Sequence, residues 1–501
     1  MAVITQTLRE VMSLDSNAPV IDFDEQWIDW GELAARVADI ESLLEELGQG
    51  QGARIGALLH NGPGHIASIL AVLASDRCLV TLNPVYPDET LGPDIEALGV
   101  PVVIGESADL DRPGVAAALE ALDASVIEIG PLLETVRLRR TGSRRDNATA
   151  GETAIEMLTS GTTGKPKRVP LSRAAFDASF AAIASHDKSR DQNATVKLRS
   201  STTLIINPVT HIGGIYGVIG ALMVGRRICL VEKFSVDRWV GAVTRHRPKV
   251  APAVPAALRM LIEADLPREH FSSLSAIISG TAPLSPDVVD TFLDKYGVPV
   301  LANYGATEFA GAIAAWSLPD FKAHWEEKKG AAGRIHESVQ ARIIDQETGD
   351  ILLPGQEGVL ELTGSQLGLK DGWLRTTDRA VIDEDNFLYV KGRADNAILR
   401  GGFKVHPDDI VRTLETHPSI REAAVIGVPD ERLGEVPAAA IILKDGGQEP
   451  ALDELKSFLR ERLVPYQVPV HYQFVVDIPR TPSMKPAMLP LKKMFASDEQ
   501  K

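Results

Sequence analysis

Cysteine is almost absent from this chain: Cys78 and Cys229 are the only two among 501 residues. Two thiols exclude a disulfide framework, so an apolar core must hold the fold, and a reducing compartment suits it. Positive charge is also in deficit. Lys and Arg number 52 against 68 Asp and Glu, a net charge of −16, which argues against nucleic acid or an anionic membrane as the main partner. No apolar run is long enough to span a bilayer. The longest, Ile212 to Gly225, stops at Arg226-Arg227 and contains five glycines, so it reads as a buried helix or a ligand wall. Residues 1–10 lack the basic region and apolar core of a signal peptide. Repeats and low-complexity tracts are missing too. The expected location is the cytoplasm.

What remains is an ordinary globular composition, 44% apolar and 24% charged, in a chain too long for one core. Short apolar runs alternate with helical patterns. Arg54–Leu59 reads as a strand, His65–Ser75 as an apolar helix and Leu79–Leu82 as a strand. Further strands are expected at Leu204–Asn207, Ile228–Val231, Ala276–Ser279 and Val298–Ala302. This rhythm predicts an α/β domain of helix-covered, largely parallel sheets over residues 1–394. The basic stretches Arg137–Glu152 and His186–Ser201 read as surface loops, and Phe321–Gly330 as an exposed helix. From residue 395 the pattern becomes compact α+β. It has helices at Pro407–Thr416 and Ala451–Leu463 and strands at Ala423–Val428, Ala438–Leu443 and Gln473–Val476, which predicts a small second domain over 395–501. Residues beyond Leu491 are expected to be loosely held.

One stretch says more about chemistry than any other: Leu158-Thr159-Ser160-Gly161-Thr162-Thr163-Gly164-Lys165-Pro166-Lys167. Its glycines let backbone N–H groups approach a ligand closely, and its hydroxyls and lysines supply donors and charge for phosphate oxygens. An apolar strand, Ala154 to Leu158, precedes it. Residues 172–186 follow with helical spacing, so the loop is expected to join a strand to a helix. It is not a Walker A loop, because two residues rather than four separate Gly161 from Gly164, and Pro166 follows Lys165.

The loop resembles the phosphate-binding signature of adenylate-forming enzymes, the superfamily of acyl- and aryl-CoA synthetases. Four further signatures of that family follow in order. They are Asn303-Tyr304-Gly305-Ala306-Thr307-Glu308, Arg375-Thr376-Thr377-Asp378, Gly392-Arg393-Ala394-Asp395 with Arg400-Gly401-Gly402-Phe403, and Pro479-Arg480-Thr481-Pro482-Ser483-Met484-Lys485. The resemblance covers essentially the whole chain. It implies a large N-terminal domain and a small C-terminal lid that turns about a hinge at Asp395.

By this resemblance, ATP, Mg²⁺ and CoA are the cofactors and the activity is that of an acid–thiol ligase. Thr159 to Lys167 cradle the β- and γ-phosphates. Arg168, where the family commonly has glycine, adds positive charge or closes the loop differently. Glu308 holds Mg²⁺, as carboxylate oxygen suits that hard cation, and Thr307 contacts phosphate. Tyr304 stacks on adenine beside Asn303 and Gly305, and Gly280-Thr281-Ala282 forms the other adenine and acyl-side loop. Asp378 accepts the ribose hydroxyls, and Arg393 meets the ribose or α-phosphate. Lys485 reaches the α-phosphate and the carboxylate and carries adenylation. Gly401-Gly402 line the path of a pantetheine arm. His211 gates the acid.

No Asp or Glu occurs between Thr203 and Val218, where amino-acid-activating relatives usually carry an aspartate for the ammonium group. Small residues at Gly213, Gly214, Ala256, Ala310 and Gly311 suggest a roomy apolar pocket for a fatty or aromatic acid. The implied enzyme forms an acyl adenylate and passes the acyl group to CoA, as a monomer or homodimer. Loading of a carrier protein is the alternative within the superfamily. A silent nucleotide- or acyl-binding regulator is the alternative outside it.

Overall fold

The structure is a computed structural model that describes residues 3–144, 150–159, 167–185, 196–369, 372–444, 446–481 and 484–496. Its described residues form two compact units, one comprising 3–159, 167–339 and 364–372, the other 340–363 and 373–496.

The first unit is built on a seven-stranded sheet in the order Val136–Arg140, Ser125–Ile129, Val102–Gly105, Arg54–Leu58, Cys78–Leu82, Thr153–Thr159, Lys167–Ser172. The inner five strands are parallel and the two outer ones antiparallel. Alternation along each inner strand divides its side chains between two cores. Ile55, Ala57, Leu79, Val102 and Ile104 face one core; Leu58, Val80, Leu82 and Val103 face the other. A sheet buried on both faces needs apolar side chains at nearly every position, which is why Arg54–Leu58 and Cys78–Leu82 stand out in the sequence. Helix Pro63–Leu73 is buried along its whole length.

A second sheet in this unit orders Thr202–Ile205, Arg227–Leu230, Pro19–Phe23 and Gln26–Asp29, the first three parallel. A third begins with parallel Val250–Pro252, Ala276–Ser279 and Val300–Ala306. It continues antiparallel through Gly311–Ala315 and Gly333–Ile335. The apolar run from Ile212 forms a helix, Ile212–Met223, with seven buried residues.

Three local expectations change. The basic stretch after residue 136 is partly a strand: Val136–Arg140 pairs with Ser125–Ile129, and Arg137 donates to Glu128 at 2.8 Å. Its charges sit on a sheet edge, so no apolar run marks it. The phosphate-type loop does not lead straight into a helix either. Lys167–Ser172 first returns antiparallel to Thr153–Thr159, and helix Arg173–Ser185 follows. Pro170 is tolerated because that strand lies on the edge. Finally, Phe321 and Trp325 are buried, with stacked rings 4.9 Å apart, and both rings pack against Trp316. The helix Leu318–His324 thus has an inward face set by its i, i+4 aromatics. Much of His186–Ser201 lies outside the described residues.

In the second unit, strands Gly358–Gly364, Leu374–Ile382 and Phe387–Arg393 form an antiparallel ribbon. A separate sheet combines Phe403–Val405, Ile398–Arg400, Gly434–Leu443 and Ile420–Asp430, with His471–Phe474 parallel to Gly434–Leu443. Helices Pro407–Glu415 and Leu452–Arg460 pack on one face through Ile410, Leu414, Leu455 and Leu459. Helix Met488–Ala496 packs on the other through Leu491 and Phe495.

The segment beyond Leu491 is therefore docked as far as Ala496, because Phe495 falls one helical turn after Leu491 on the same face. Phe495→Ala should destabilise the second unit by about 3–5 kcal/mol, whereas Leu489→Ala, at an exposed site, should stay within about 0.5 kcal/mol. Hydrogen exchange in Gly434–Leu443 under mild denaturant measures both. Equal effects would contradict the docking.

Candidate active site

Parallel strands release their loops at the carboxyl edge of the sheet, where ligands bind in open α/β folds. The loop after Thr153–Thr159 is the expected phosphate cradle. Ser160, Gly161, Thr162, Thr163, Gly164 and Lys165 lie outside the described residues, as does the Thr159 side chain. The stems are defined: Thr159 and Lys167 face each other across the ladder. Arg168 is tied to the scaffold. Its guanidinium donates to Asp94 at 2.6 Å and to the Thr81 carbonyl at 3.0 Å, so its charge is spent on tying the stem to the scaffold.

The loop after Arg54–Leu58 carries a residue with no sequence signal. Asn61 is buried and accepts the Val209 N–H at 2.9 Å, while its amide donates to the carbonyls of Val231 at 3.0 Å and Asn207 at 3.2 Å. One side chain thus fixes the segment leading to His211, which stands at the position just before helix Ile212–Met223. In the sequence Asn61 lies between the expected strand Arg54–Leu59 and the expected helix His65–Ser75, with nothing to mark it as a clamp. Gly214 follows, and a Cβ there would lie 2.2 Å from the Pro208 carbonyl oxygen. Ala310 belongs to the main core. At these two positions small residues serve close packing, a correction to their reading as space for substrate.

Beside Asn61, His60 and His65 pair with Asp109 at 2.7 Å and Glu106 at 2.6 Å, their rings 5.3 Å apart. The Asp109 hydrogen bond raises the His60 pKa, whereas complete burial lowers that of His65 despite Glu106.

The nucleotide-type motif forms the end of strand Val300–Ala306, the 3-10 turn Thr307–Phe309 and the returning strand Gly311–Ala315. Asn303 is set against Gly280, where a Cβ would fall 2.0 Å from Asn303 Oδ1. Gly305 lets the two strands close, since a Cβ there would lie 2.3 Å from the Gly311 carbonyl oxygen. Tyr304 packs on Phe309 at 5.9 Å, and Glu308 is exposed next to half-buried Thr307. An exposed carboxylate beside a hydroxyl fits Mg²⁺, which keeps most of its waters. Gln366, buried and silent in sequence, holds this turn by donating to the carbonyls of Phe309 at 3.2 Å and Ala312 at 3.1 Å. Ala282 follows Thr281 in the adjacent loop, half-buried.

In the second unit the ribbon sets Asp378 directly opposite Arg393. Thr376 supports this register: its hydroxyl donates to the Leu360 carbonyl at 2.8 Å and accepts the Asp378 N–H at 3.1 Å. Arg393 binds Asp395 in a two-point pair at 2.8 and 2.7 Å. Gly401 and Gly402, at φ +57° and +88°, form the two-residue turn joining Ile398–Arg400 to Phe403–Val405. Positive φ at both positions is what such a turn demands. Lys485 stands in a tight loop. The Thr481 N–H donates to the Lys485 carbonyl at 2.8 Å, and Arg480 anchors the loop on Glu422 at 2.7 Å.

Among the non-glycine residues at positive φ, Thr281 and Met484 lie in loops of the resembled motifs. Thr281 has φ +72° and Met484 φ +63°, a region that disfavours L side chains by about 1–2 kcal/mol. Both replace glycines of the resembled motifs.

The AMP-binding enzyme family model matches residues 8–369, and the AMP-binding enzyme C-terminal domain model matches 412–485. Rice (Oryza sativa subsp. japonica) 4-coumarate–CoA ligase 3 is 28% identical over 88% of this chain and 82% of its own length. The 2-succinylbenzoate–CoA ligase of Bacillus cereus is 28% identical over 95% of this chain and 96% of its own. Among solved structures, the amide bond synthetase McbA from Marinactinospora thermotolerans superposes with a TM-score of 0.79 at 27% identity, covering 98% of this chain and 100% of that one.

Two outcomes follow. Met484→Gly should raise stability by up to about 1 kcal/mol, relieved strain being partly offset by unfolded-chain entropy, and Met484→Val should lower it; denaturant midpoints decide. His60 should titrate above the free imidazole value of about 6.5 and His65 below it. The His60 contribution to stability is then present at low pH and lost as pH rises through its folded pKa. That of His65 is present above about 6.5 and lost as pH falls through its own. Histidine-selective NMR across pH 4–9 would disprove this if both rings moved together.

Proposed function

Because the chain belongs to the AMP-binding enzyme family, we propose that it is an ATP-dependent acid–CoA ligase working through an acyl adenylate. In the first step a carboxylate oxygen attacks the α-phosphorus of ATP and the bond to pyrophosphate breaks. In the second the thiol of CoA attacks the acyl carbon, AMP leaves and the thiol proton passes to solvent. Both partners of the first step are anionic, so catalysis consists of charge neutralisation and alignment. The observation that carries the reading is the joint match of both family domains, over 8–369 and 412–485.

Within this reading Lys485 neutralises the α-phosphate and the attacking carboxylate, a task suited to a compact, mobile point charge. Asp378 holds the ribose and Arg393 meets the ribose or α-phosphate; their facing strand positions support acting on one nucleotide. Asn303 and Tyr304 take the adenine, with Gly280, Thr281 and Ala282 beside them. The 159–167 loop holds the departing pyrophosphate. Glu308 would hold Mg²⁺, which would supply positive charge against the phosphates, and Thr307 orients a phosphate oxygen by its hydroxyl. A lid of residues 395–501 turns about Asp395 between the steps, and Gly401-Gly402 admit the pantetheine arm.

The acid is a hydrophobic monocarboxylic one, fatty or aromatic. The absence of Asp and Glu between Thr203 and Val218 leaves no acidic partner there for a substrate ammonium group. His211 gates it, held by the segment that Asn61 fixes. No helix among the described residues is long and apolar enough to cross a membrane, and the two buried free cysteines support a reducing cytoplasm.

Purified protein with ATP, Mg²⁺ and a panel of fatty and aromatic acids, with and without CoA, tests the reading by mass spectrometry. Acyl-CoA and AMP are expected. Lys485→Ala should slow adenylation by about 10²–10³-fold, judged by other preorganised charge donors. Adenylate without thioester would indicate another acceptor, such as a carrier protein or an amine. No AMP from any acid, with nucleotide bound in calorimetry, would leave a binding-only protein.

A further inference from the structure

Away from the motif-bearing loops, the four-stranded sheet gathers three side chains of metal-ligating type. Asp22 and Cys229 are partners on the adjacent parallel strands Pro19–Phe23 and Arg227–Leu230, so their side chains leave the same face. His246, the last residue of helix Val236–His246, is brought to them. One atom from each, a carboxylate oxygen, Sγ and a ring nitrogen, lies within 4.8 Å of the other two. All three side chains are buried: Asp22 is 1% and Cys229 3% exposed, and the His246 side chain 6%.

The hydrogen bonding of Asp22 is lopsided. Oδ2 receives the His246 ring and, at 3.1 and 3.0 Å, Nε and Nη2 of Arg245. Oδ1 is buried with no hydrogen-bond partner. A buried carboxylate oxygen left unsatisfied costs stability, and a cation is a partner that would satisfy it.

We propose that Asp22, Cys229 and His246 form a Zn²⁺ site. Sulfur, imidazole nitrogen and carboxylate oxygen together suit zinc and disfavour Mg²⁺ or Ca²⁺, which take oxygen sets. Three protein ligands leave a fourth tetrahedral position for water. On binding, the His246 nitrogen exchanges its contact with Asp22 for the metal. Arg245 stays on the carboxylate as its outer partner, the arrangement that orients metal-bound carboxylates. The cation also faces the Arg245 charge, which is offset by Glu25 at 3.0 Å from its Nη1. Cys229 is a free, buried cysteine, and a thiol without metal carries its proton near neutral pH. Binding therefore breaks the S–H bond, forms Zn–S and releases one proton to solvent. The ion would staple the two strands to the helix end, independently of the ligase chemistry.

The test uses full-length, tag-free protein stripped with chelator and titrated with Co²⁺ alone as a spectroscopic substitute for zinc. One equivalent should bind, giving the visible bands of a tetrahedral site and a near-ultraviolet thiolate-to-cobalt band. Cys229→Ser should lose the thiolate band, and His246→Asn should weaken binding by more than tenfold. Calorimetry of Zn²⁺ in buffers of different ionisation enthalpy should report one proton released. Wild-type protein that takes up no cobalt, or a Cys229→Ser spectrum identical to wild type, would overturn the proposal. Should His246→Asn fail to fold, the wild-type and Cys229→Ser measurements still decide.

Discussion

Everything in the first unit depends on a ladder of parallel strands that cannot face water on either side. Parallel pairing forces each connection to cross over the sheet, so both faces are covered and the strands must be apolar throughout. The same constraint sends the loops after Arg54–Leu58, Val102–Gly105, Cys78–Leu82 and Thr153–Thr159 to one edge. Polar chemistry is excluded from the middle of the sheet and concentrated there. Asn61, the paired histidines and the stems of the phosphate-type loop all lie just beyond those strand ends.

That constraint also explains what was legible. Three of the five inner strands, Arg54–Leu58, Cys78–Leu82 and Thr153–Thr159, were read from their apolar runs, whereas Val102–Gly105 and Ser125–Ile129 were not, and helix Pro63–Leu73 was read because it is buried throughout. The edge strand Val136–Arg140 was not, since its arginines are chosen by acidic neighbours such as Glu128 rather than by the strand. Ordered motifs identified the nucleotide-type residues, yet the groups that hold those segments, Asn61 and Gln366, carry no pattern. Each acts through one amide on carbonyls or N–H groups distant in sequence, a relation set only by the fold. The facing of Asp378 and Arg393, fifteen residues apart, is likewise a matter of register.

Departures from the family pattern have physical content. Arg168 is bound into the scaffold through Asp94, so it changes how the stem is anchored and leaves the charge of the cradle to its lysines. Thr281 and Met484 keep the left-handed backbone of the glycines they replace. The loop shape has been retained while the residue best suited to it has not, and the surrounding hydrogen bonds must hold each loop against its own preference. For Met484 those bonds are the Thr481 and Arg480 contacts that also position Lys485.

The two outer strands of the seven-stranded sheet have a consequence for the molecule among its own copies. An open sheet edge is a row of unpaired amide groups on which another chain can polymerise. Here one border is lined with Arg137, Arg139 and Arg140, and the other carries Lys167, Arg168 and Pro170. A foreign strand arriving at either would have to desolvate charged side chains and their ion pairs or meet a position without an N–H. Crowded copies of this chain are thereby discouraged from fusing their sheets into aggregates.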